Sequence, residues 1–379
     1  MMADLSATQK TPLYDLHVEL GGSLVDFAGY ALPVRYPAGI MAEHLHCRES
    51  ASLFDVSHMG QALLKGADHE SVARFLESLT PSAFTKLGVG RMRYSVLLND
   101  AGGIIDDFIV TRPEDPSLDG TLMLVVNGAC KDGDYAHLKA NLPDGITLTP
   151  LDSKALIALQ GPKAIDALKR HSGKADGLTF MSQTLDVIDG IEVVISRCGY
   201  TGEDGFELSC DQQDAERLAR LLLTEPEVEP AGLGARDSLR LESGLCLYGH
   251  DLTTEIDPAE ADLGWAIQKR RREEAGFPGA ERILTGLSEG PSRIRVGLKI
   301  VGKAPAREGT EIQSPDGESI GIVTSGGFAP SLQAPIAMGY VLPEHAVAGT
   351  KVNLIVRKRI IEAEVASMPF VPQHYVRKA

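Results

Sequence analysis

Lys351-Val352-Asn353-Leu354-Ile355-Val356-Arg357-Lys358-Arg359-Ile360-Ile361-Glu362-Ala363-Glu364-Val365 is the stretch whose pattern decides the fold. Apolar residues alternate through Val352, Leu354 and Val356, and again through Ile361, Ala363 and Val365. That is the period of a half-buried sheet. Upstream, residues 293–301 and 319–324 read as strands too, separated by turns such as Ser314-Pro315-Asp316-Gly317. No convincing helical period follows about residue 275. Residues 276–379 are therefore expected to form a small all-β domain. The linker is expected over 275–282, where Gly276, Pro278 and Gly279 fall.

Residues 1–275 read differently. After Asp68, the residues Val72, Phe75, Leu76 and Leu79 follow the i, i+3, i+4, i+7 rule up to Pro81. Gln160-Gly161-Pro162 opens a second candidate helix, with Pro162 near its first turn. Asp214 is a candidate cap for a third, and Asp237 for a fourth that runs through Leu245 to Gly249. Strand-like runs at 122–127 and 191–197 lie between them. The class is α+β, a mixed α/β body followed by the β domain. A length of 379 residues suggests about 2.5 domains.

Composition narrows the partners. The net charge of −15 repels phosphate backbones and anionic lipid, so neither nucleic acid nor a membrane is expected as a partner. Five scattered cysteines, none in a CxxC pair, read as reduced and mostly buried thiols. No apolar run approaches a transmembrane span. The polar first residues lack both a secretory h-region and the Arg-rich character of a transit peptide. The simplest expectation is a cytoplasmic protein, although a processed organellar form would carry the same signature.

Four segments could carry chemistry. Gly102-Gly103-Ile104-Ile105-Asp106-Asp107 leads from a glycine turn into an apolar run. A carboxylate there can act as a base or stabilise a cation, and the same pair also reads as a solvated hairpin turn. Gly199-Tyr200-Thr201-Gly202-Glu203-Asp204-Gly205-Phe206-Glu207 lacks both the P-loop ending and the GxGxxG order. Its acids suit an amino-heterocycle whose N–H groups engage a carboxylate in pairs, or simply a turn between strands. Arg236, placed just before a helix capped by Asp237, is open between a ligand contact and a salt bridge. Lys269-Arg270-Arg271-Arg272 is the only run of four basic residues; it is open between guiding an acidic partner and a solvated turn. Trp265 could serve as core or as a stacking platform. No HExxH, GxSxG or zinc spacing occurs, so no metal is expected.

Taken in order, several segments resemble the aminomethyltransferase family, the T-proteins of the glycine cleavage system. They are Thr11-Pro12-Leu13-Tyr14, Phe27-Ala28-Gly29-Tyr30-Ala31-Leu32-Pro33-Val34, Ser52-Leu53-Phe54-Asp55-Val56-Ser57-His58-Met59, the Gly102 segment and Ala158-Leu159-Gln160-Gly161-Pro162. Residues 197–207 and 235–249, Val323-Thr324-Ser325-Gly326-Gly327 and Met368-Pro369-Phe370-Val371-Pro372 complete the set. Each is weak alone; the ordered set spans nearly the whole chain.

The resemblance implies a three-lobed clover leaf around a channel for tetrahydrofolate, with two intertwined lobes in residues 1–275 and a β-barrel in 276–379. It implies transfer of a methylene carbon from the aminomethyl-dihydrolipoyl arm of H-protein to tetrahydrofolate, giving 5,10-methylenetetrahydrofolate and ammonia. Tetrahydrofolate is the co-substrate and lipoylated H-protein the partner. The family's catalytic aspartate matches Asp107, and its pterin-binding glutamate matches Glu207. Tyr200 would wall the pterin, and Arg236 and Tyr375 match further folate contacts. Met59, Asn127, Trp265 and Tyr94 match pocket-lining positions. The basic run is expected to help receive H-protein.

Two relatives of that family fit less well. The folate domains of dimethylglycine and sarcosine dehydrogenases carry a flavin domain, for which this chain has neither length nor fingerprint. A folate-binding iron–sulfur assembly factor carries Lys-Gly-Cys-Tyr-x-Gly-Gln-Glu, where this chain has Arg197-Cys198-Gly199-Tyr200-Thr201-Gly202-Glu203.

Overall fold

The opening stretch forms two antiparallel strands, Lys351–Val356 and Arg359–Ala366, in register Val352↔Ala363 and Leu354↔Ile361. Arg357 and Lys358 make the turn at φ 50° and 67°, the left-handed geometry that a two-residue hairpin requires. The alternating residues point inward with Val296, Leu298, Ile312 and Val323 to fill a dry core. Six strands close on themselves in the order Ile294–Ile300, Ala334–Val341, Ser319–Ala329, Glu311–Gln313, Lys351–Val356, Arg359–Ala366. Closure leaves no open sheet edge. This architecture is seen in a computed structural model that describes residues 5–377.

The body is built on one eleven-stranded sheet. Its first half orders Val228–Pro230, Ala51–Asp55, Lys154–Gln160, Gly205–Asp211, Ile191–Arg197 and Ser182–Ile188; its second orders Arg91–Leu98, Ile104–Arg112, Thr121–Val126, Gly60–Lys65 and Thr147–Pro150. Each half buries its own apolar cluster, one around Leu53, Ile157 and Phe206 and the other around Phe75, Phe108 and Leu124. The halves meet through one bridge, Ser182 with Arg91, flanked by Met92 N–H to Met181 O (3.0 Å) and Gln183 N–H to Gly90 O (2.9 Å). A separate three-stranded sheet, Gln9–Lys10, Tyr30–Arg35 and Ser23–Phe27, lies outside it.

The helix after Asp68 is His69–Glu77, and Asp68 and Ser71 form a reciprocal capping box. Asp214 sits at the N-cap of Ala215–Leu223, as its position predicts. Three readings change. Gln160 ends a strand, and the helix beyond Pro162 is only Ala164–Leu168. The helix expected from Asp237 is Leu233–Glu242, N-capped by Gly232. Its start is set by packing that no spacing rule reads, since a Cβ on Gly232 would stand 2.6 Å from the Val34 carbonyl carbon. Finally, Ala280–Glu289 is a helix, although no helical period was expected beyond 275. Ala280, Ile283, Leu284 and Leu287 do keep the i, i+3, i+4, i+7 spacing and pack on the cluster around Leu252 and Leu263, so the period is present and only the flanking Gly276, Pro278, Gly279 and Gly286 disguise it.

The barrel docks on the body through polar anchors. Asp251 is fully buried and accepts from Arg240 Nη1 (2.9 Å), Leu247 N–H (2.9 Å) and Ser325 Oγ (2.8 Å). Leu241 packs with Ala329, Ile336 and Met338. Beyond the barrel the chain returns over the body. Phe370 and Val371 N–H groups donate to Glu242 O at 2.9 and 3.1 Å, and His374 N–H donates to Gly202 O at 2.8 Å.

Candidate active site

Strand alternation decides which acid meets solvent. In Ile104–Arg112 the residues Asp106, Phe108 and Val110 face the lobe core, while Asp107 lies on the other face and is half-buried. Ile109 pairs with Val125; continuing that antiparallel register brings Asn127 beside Asp107. Asn127 Nδ2 donates to Asp107 Oδ1 (2.8 Å) and Tyr94 OH donates to Asp107 Oδ2 (3.0 Å). Burial, then the neighbouring Asp106 charge, raises the Asp107 carboxyl to about 7. Trp265 stacks on Tyr94 with ring centroids 5.3 Å apart and 29° between planes. It is 65% exposed, so it is a platform open to solvent and not core.

The same rule operates in Gly205–Asp211. Phe206 and Leu208 enter the core, and Glu207 lies on the opposite face. The Cys198 thiol lies beside the Glu207 carboxylate, and burial raises that carboxyl against the opposing charge of Arg236. Arg236 lies inside the first turns of Leu233–Glu242, not before the helix, and its guanidinium sits 4.7 Å over the Tyr200 ring. It makes no ion pair or hydrogen bond through its side chain among the described residues, leaving its donors for a ligand. Burial lowers its pKa while Glu207 opposes the shift.

Tyr200 joins the two poles. Its hydroxyl donates to Cys246 O, and the charges of Arg240, Asp107 and Arg236 all reach it. Met59 packs against the cluster that contains Phe54, Ala235 and Leu239, beside the Arg236 helix. Tyr375 stacks on Phe180 (4.0 Å, 9°) and lies near Cys198. The returning tail carries it there, with His374 Nδ1 2.8 Å from Glu203 Oε2. Asp107, Tyr94, Asn127 and Trp265 thus form one pole; Glu207, Arg236, Tyr200 and Tyr375 form the other, with Met59 on the wall. Among the described residues no group of three or more His, Cys, Asp or Glu could hold a metal ion, and no helix is long and apolar enough to cross a membrane.

Residue reading missed Asp134, which is buried beside Asp106; nothing in the spacing of the two marks them as neighbours. The basic run also differs from its open-surface reading. Arg271 is buried and donates to Glu77 O (2.5 Å), Thr80 O (3.3 Å) and Gly276 O (2.8 Å). Arg270 pairs with Glu77 and Glu274, both at 2.6 Å, and Arg272 donates to Ile267 O (2.8 Å) and Gly264 O (2.6 Å). Three of its four cations are used internally, and Lys269, its side chain 90% exposed, meets Glu273 one turn along at 3.7 Å.

Comparison with known proteins agrees with this architecture. The family model described as the GCVT N-terminal domain matches residues 13–271, and the glycine cleavage T-protein C-terminal barrel domain matches 293–372. A mitochondrial aminomethyltransferase of Dictyostelium discoideum is 45% identical, covering 97% of this chain and 93% of its own. That of Mesembryanthemum crystallinum is also 45% identical, covering 97% and 91%. The crystal structure of glycine cleavage system aminomethyltransferase T from Bartonella henselae superposes with a TM-score of 0.91 at 42% identity, covering 97% of this chain and 99% of that one. The expected cytoplasmic location is overturned by these relatives, which are named mitochondrial. The expectation rested on the composition of the first residues, which does not by itself fix a compartment. With both domains matched and full-length relatives at this identity, the chain belongs to the T-protein family of the glycine cleavage system and is an aminomethyltransferase.

Proposed function

We propose that this chain passes the methylene carbon of an aminomethyl-dihydrolipoyl arm, presented by H-protein, to tetrahydrofolate at Asp107. As the folate nitrogen meets the one-carbon unit, positive charge of iminium character develops. An apposed carboxylate stabilises that charge and takes a proton. A carboxyl held near 7 is ionised enough to do the first and basic enough to do the second. Glu207 accepts paired N–H donors of the pterin edge, Tyr200 and Trp265 offer ring faces, and Arg236 meets an anionic or carbonyl oxygen. Tyr375, Met59, Asn127 and Tyr94 complete the walls.

The observation that carries this reading is the Asp107 carboxylate, held by Tyr94 and Asn127 and electrostatically joined through Tyr200 to the Arg236–Glu207 pole. The test supplies aminomethylated H-protein and tetrahydrofolate and follows methylenetetrahydrofolate and ammonia. Asp107→Asn is expected to lose turnover and keep folate binding; an unchanged rate removes the assignment.

A further inference from the structure

Behind Asp107 lies a second layer of acids that the reaction as described does not use. Asp106 is 0% and Asp134 1% exposed. Asp106 accepts from the Asn127 backbone N–H (3.0 Å, Oδ2) and from Asn127 Nδ2 (2.8 Å, Oδ1). The same Nδ2 reaches Asp107 Oδ1. Among the described residues Asn127 is therefore the side chain that hydrogen-bonds both carboxylates.

Asp134, on the helix Lys131–Ala140, has both side-chain oxygens buried, and neither finds an N–H or hydroxyl partner among the described residues. Its carboxyl is adjacent to that of Asp106, close enough for one proton to join them. The groups facing it are Asp106 and Asp107 from the neighbouring strand, Cys130 before its own helix, Tyr248 from the segment after Leu233–Glu242, and Tyr135 on its own helix. No cation is among them. Three adjacent carboxylates without a counter-charge cannot all be ionised in a buried site. The helix N-terminus favours an anion at Asp134, but only weakly. Burial and the Asp106 charge win, and the Asp134 carboxyl is pushed up to about 10.

We propose that Asp134 is a positioning residue of the transfer reaction: its carboxyl stays protonated and donates to Asp106, which in turn fixes the Asn127 amide on the Asp107 carboxylate. The proton on Asp134 keeps Asp106 ionised, and the ionised Asp106 holds Asp107 near neutrality. Without that donor Asp106 takes up a proton itself, its charge disappears from beside Asp107, and Asp107 becomes more acidic. The proposal rests on the reading of Asp107 as the catalytic group.

The experiment measures kcat against pH for Asp134→Ala and Asp134→Asn with saturating aminomethylated H-protein and tetrahydrofolate, together with folate Kd and Tm. In Asp134→Ala kcat is expected to fall about 10–100-fold and the acid limb to move to lower pH, with folate Kd unchanged. Asp134→Asn restores a neutral donor and is expected to keep the wild-type limb, with kcat within about threefold. A purely structural role lowers the rate without moving the limb. A wild-type profile in Asp134→Ala overturns the proposal, as does a loss in Asp134→Asn equal to that in Asp134→Ala. If Asp134→Ala does not fold, Asp134→Asn decides alone, and a displaced limb there overturns the proposal. Asp107→Asn is run alongside. Full activity in that variant removes the Asp107 reading and this proposal with it, whereas an inactive Asp107→Asn beside a wild-type Asp134→Ala overturns the proposal alone.

Discussion

Removing the charge at Asp107 is expected to abolish turnover and at the same time stabilise the protein, by an amount that depends on pH. A carboxyl raised from 3.8 to about 7 by burial and by Asp106 is ionised in the native state at a cost. The full difference corresponds to about 4 kcal/mol, and the half-exposed position of Asp107 reduces this to about 2–4 kcal/mol. The sign follows from linkage. Below about pH 3 the carboxyl is largely protonated in both native and unfolded chains and the wild type bears almost no cost. As pH rises to 7 the unfolded chain releases its proton first, so native stability falls, and above 7 the whole cost is present. Asp107→Asn has no such dependence. It should exceed the wild type by at most about 1 kcal/mol near pH 4.5 and by about 2–4 kcal/mol at pH 8, a Tm gain at pH 8 of about 2–5 °C at this chain length, while kcat falls about 100-fold or more. Thermal and urea unfolding at the two pH values, paired with the turnover assay, measure both effects. A variant that is destabilised at pH 8, or whose Tm gain is equal at both pH values, refutes the electrostatic account of this site.

Three further outcomes follow from the geometry. Glu207→Gln replaces one acceptor oxygen with a donor, and folate Kd measured by fluorescence titration should rise about 10–100-fold. Asp251→Ala leaves Arg240 buried with only the solvent-facing Asp237 as a charged partner; it should cost about 3–5 kcal/mol in urea unfolding, and an effect under 1 kcal/mol contradicts the anchoring role. Arg271→Met removes three carbonyl contacts inside the protein; Tm should fall while KM for H-protein stays unchanged, and the reverse pattern would restore a docking role to the basic run.

The legible and illegible parts of this fold divide by range. The alternation of Val352, Leu354, Ile361 and Ala363 is visible because the pairing strand is the next one along the chain. The capping of His69–Glu77 is equally local. The start of Leu233–Glu242 was not readable, because Gly232 is placed by the approach of the Val34 backbone from far along the chain. The same holds for Arg271, whose charge looks free until Glu77 and Thr80 are folded against it. In the site, residue types alone identify acids at strand edges and no more. The separate roles of Asp107 and Asp106 depend on the face each takes, and those of Asp134 and Asn127 on tertiary neighbours. The ordered family motifs supplied the rest of the candidate residues.

The two halves of the large sheet have a further consequence. The second half is one uninterrupted segment, from Gly60 to Pro150, set between strands Ala51–Asp55 and Lys154–Gln160 of the first. Its entry and exit run side by side, with Val56 N–H on Leu156 O (3.1 Å) and Leu151 N–H on Gln61 O (2.8 Å). Mechanically this is an inserted module hung on a double-stranded hinge, secured elsewhere in the sheet by one bridge to Ser182. Asp107, Tyr94 and Asn127 ride on the module, and Glu207, Tyr200 and Arg236 stay with the host. A few degrees of rotation at residues 56–60 and 151–155 would alter the distance from the carboxylate to the bound ring, so the spacing of the reacting atoms is a property of the joint as much as of the pocket.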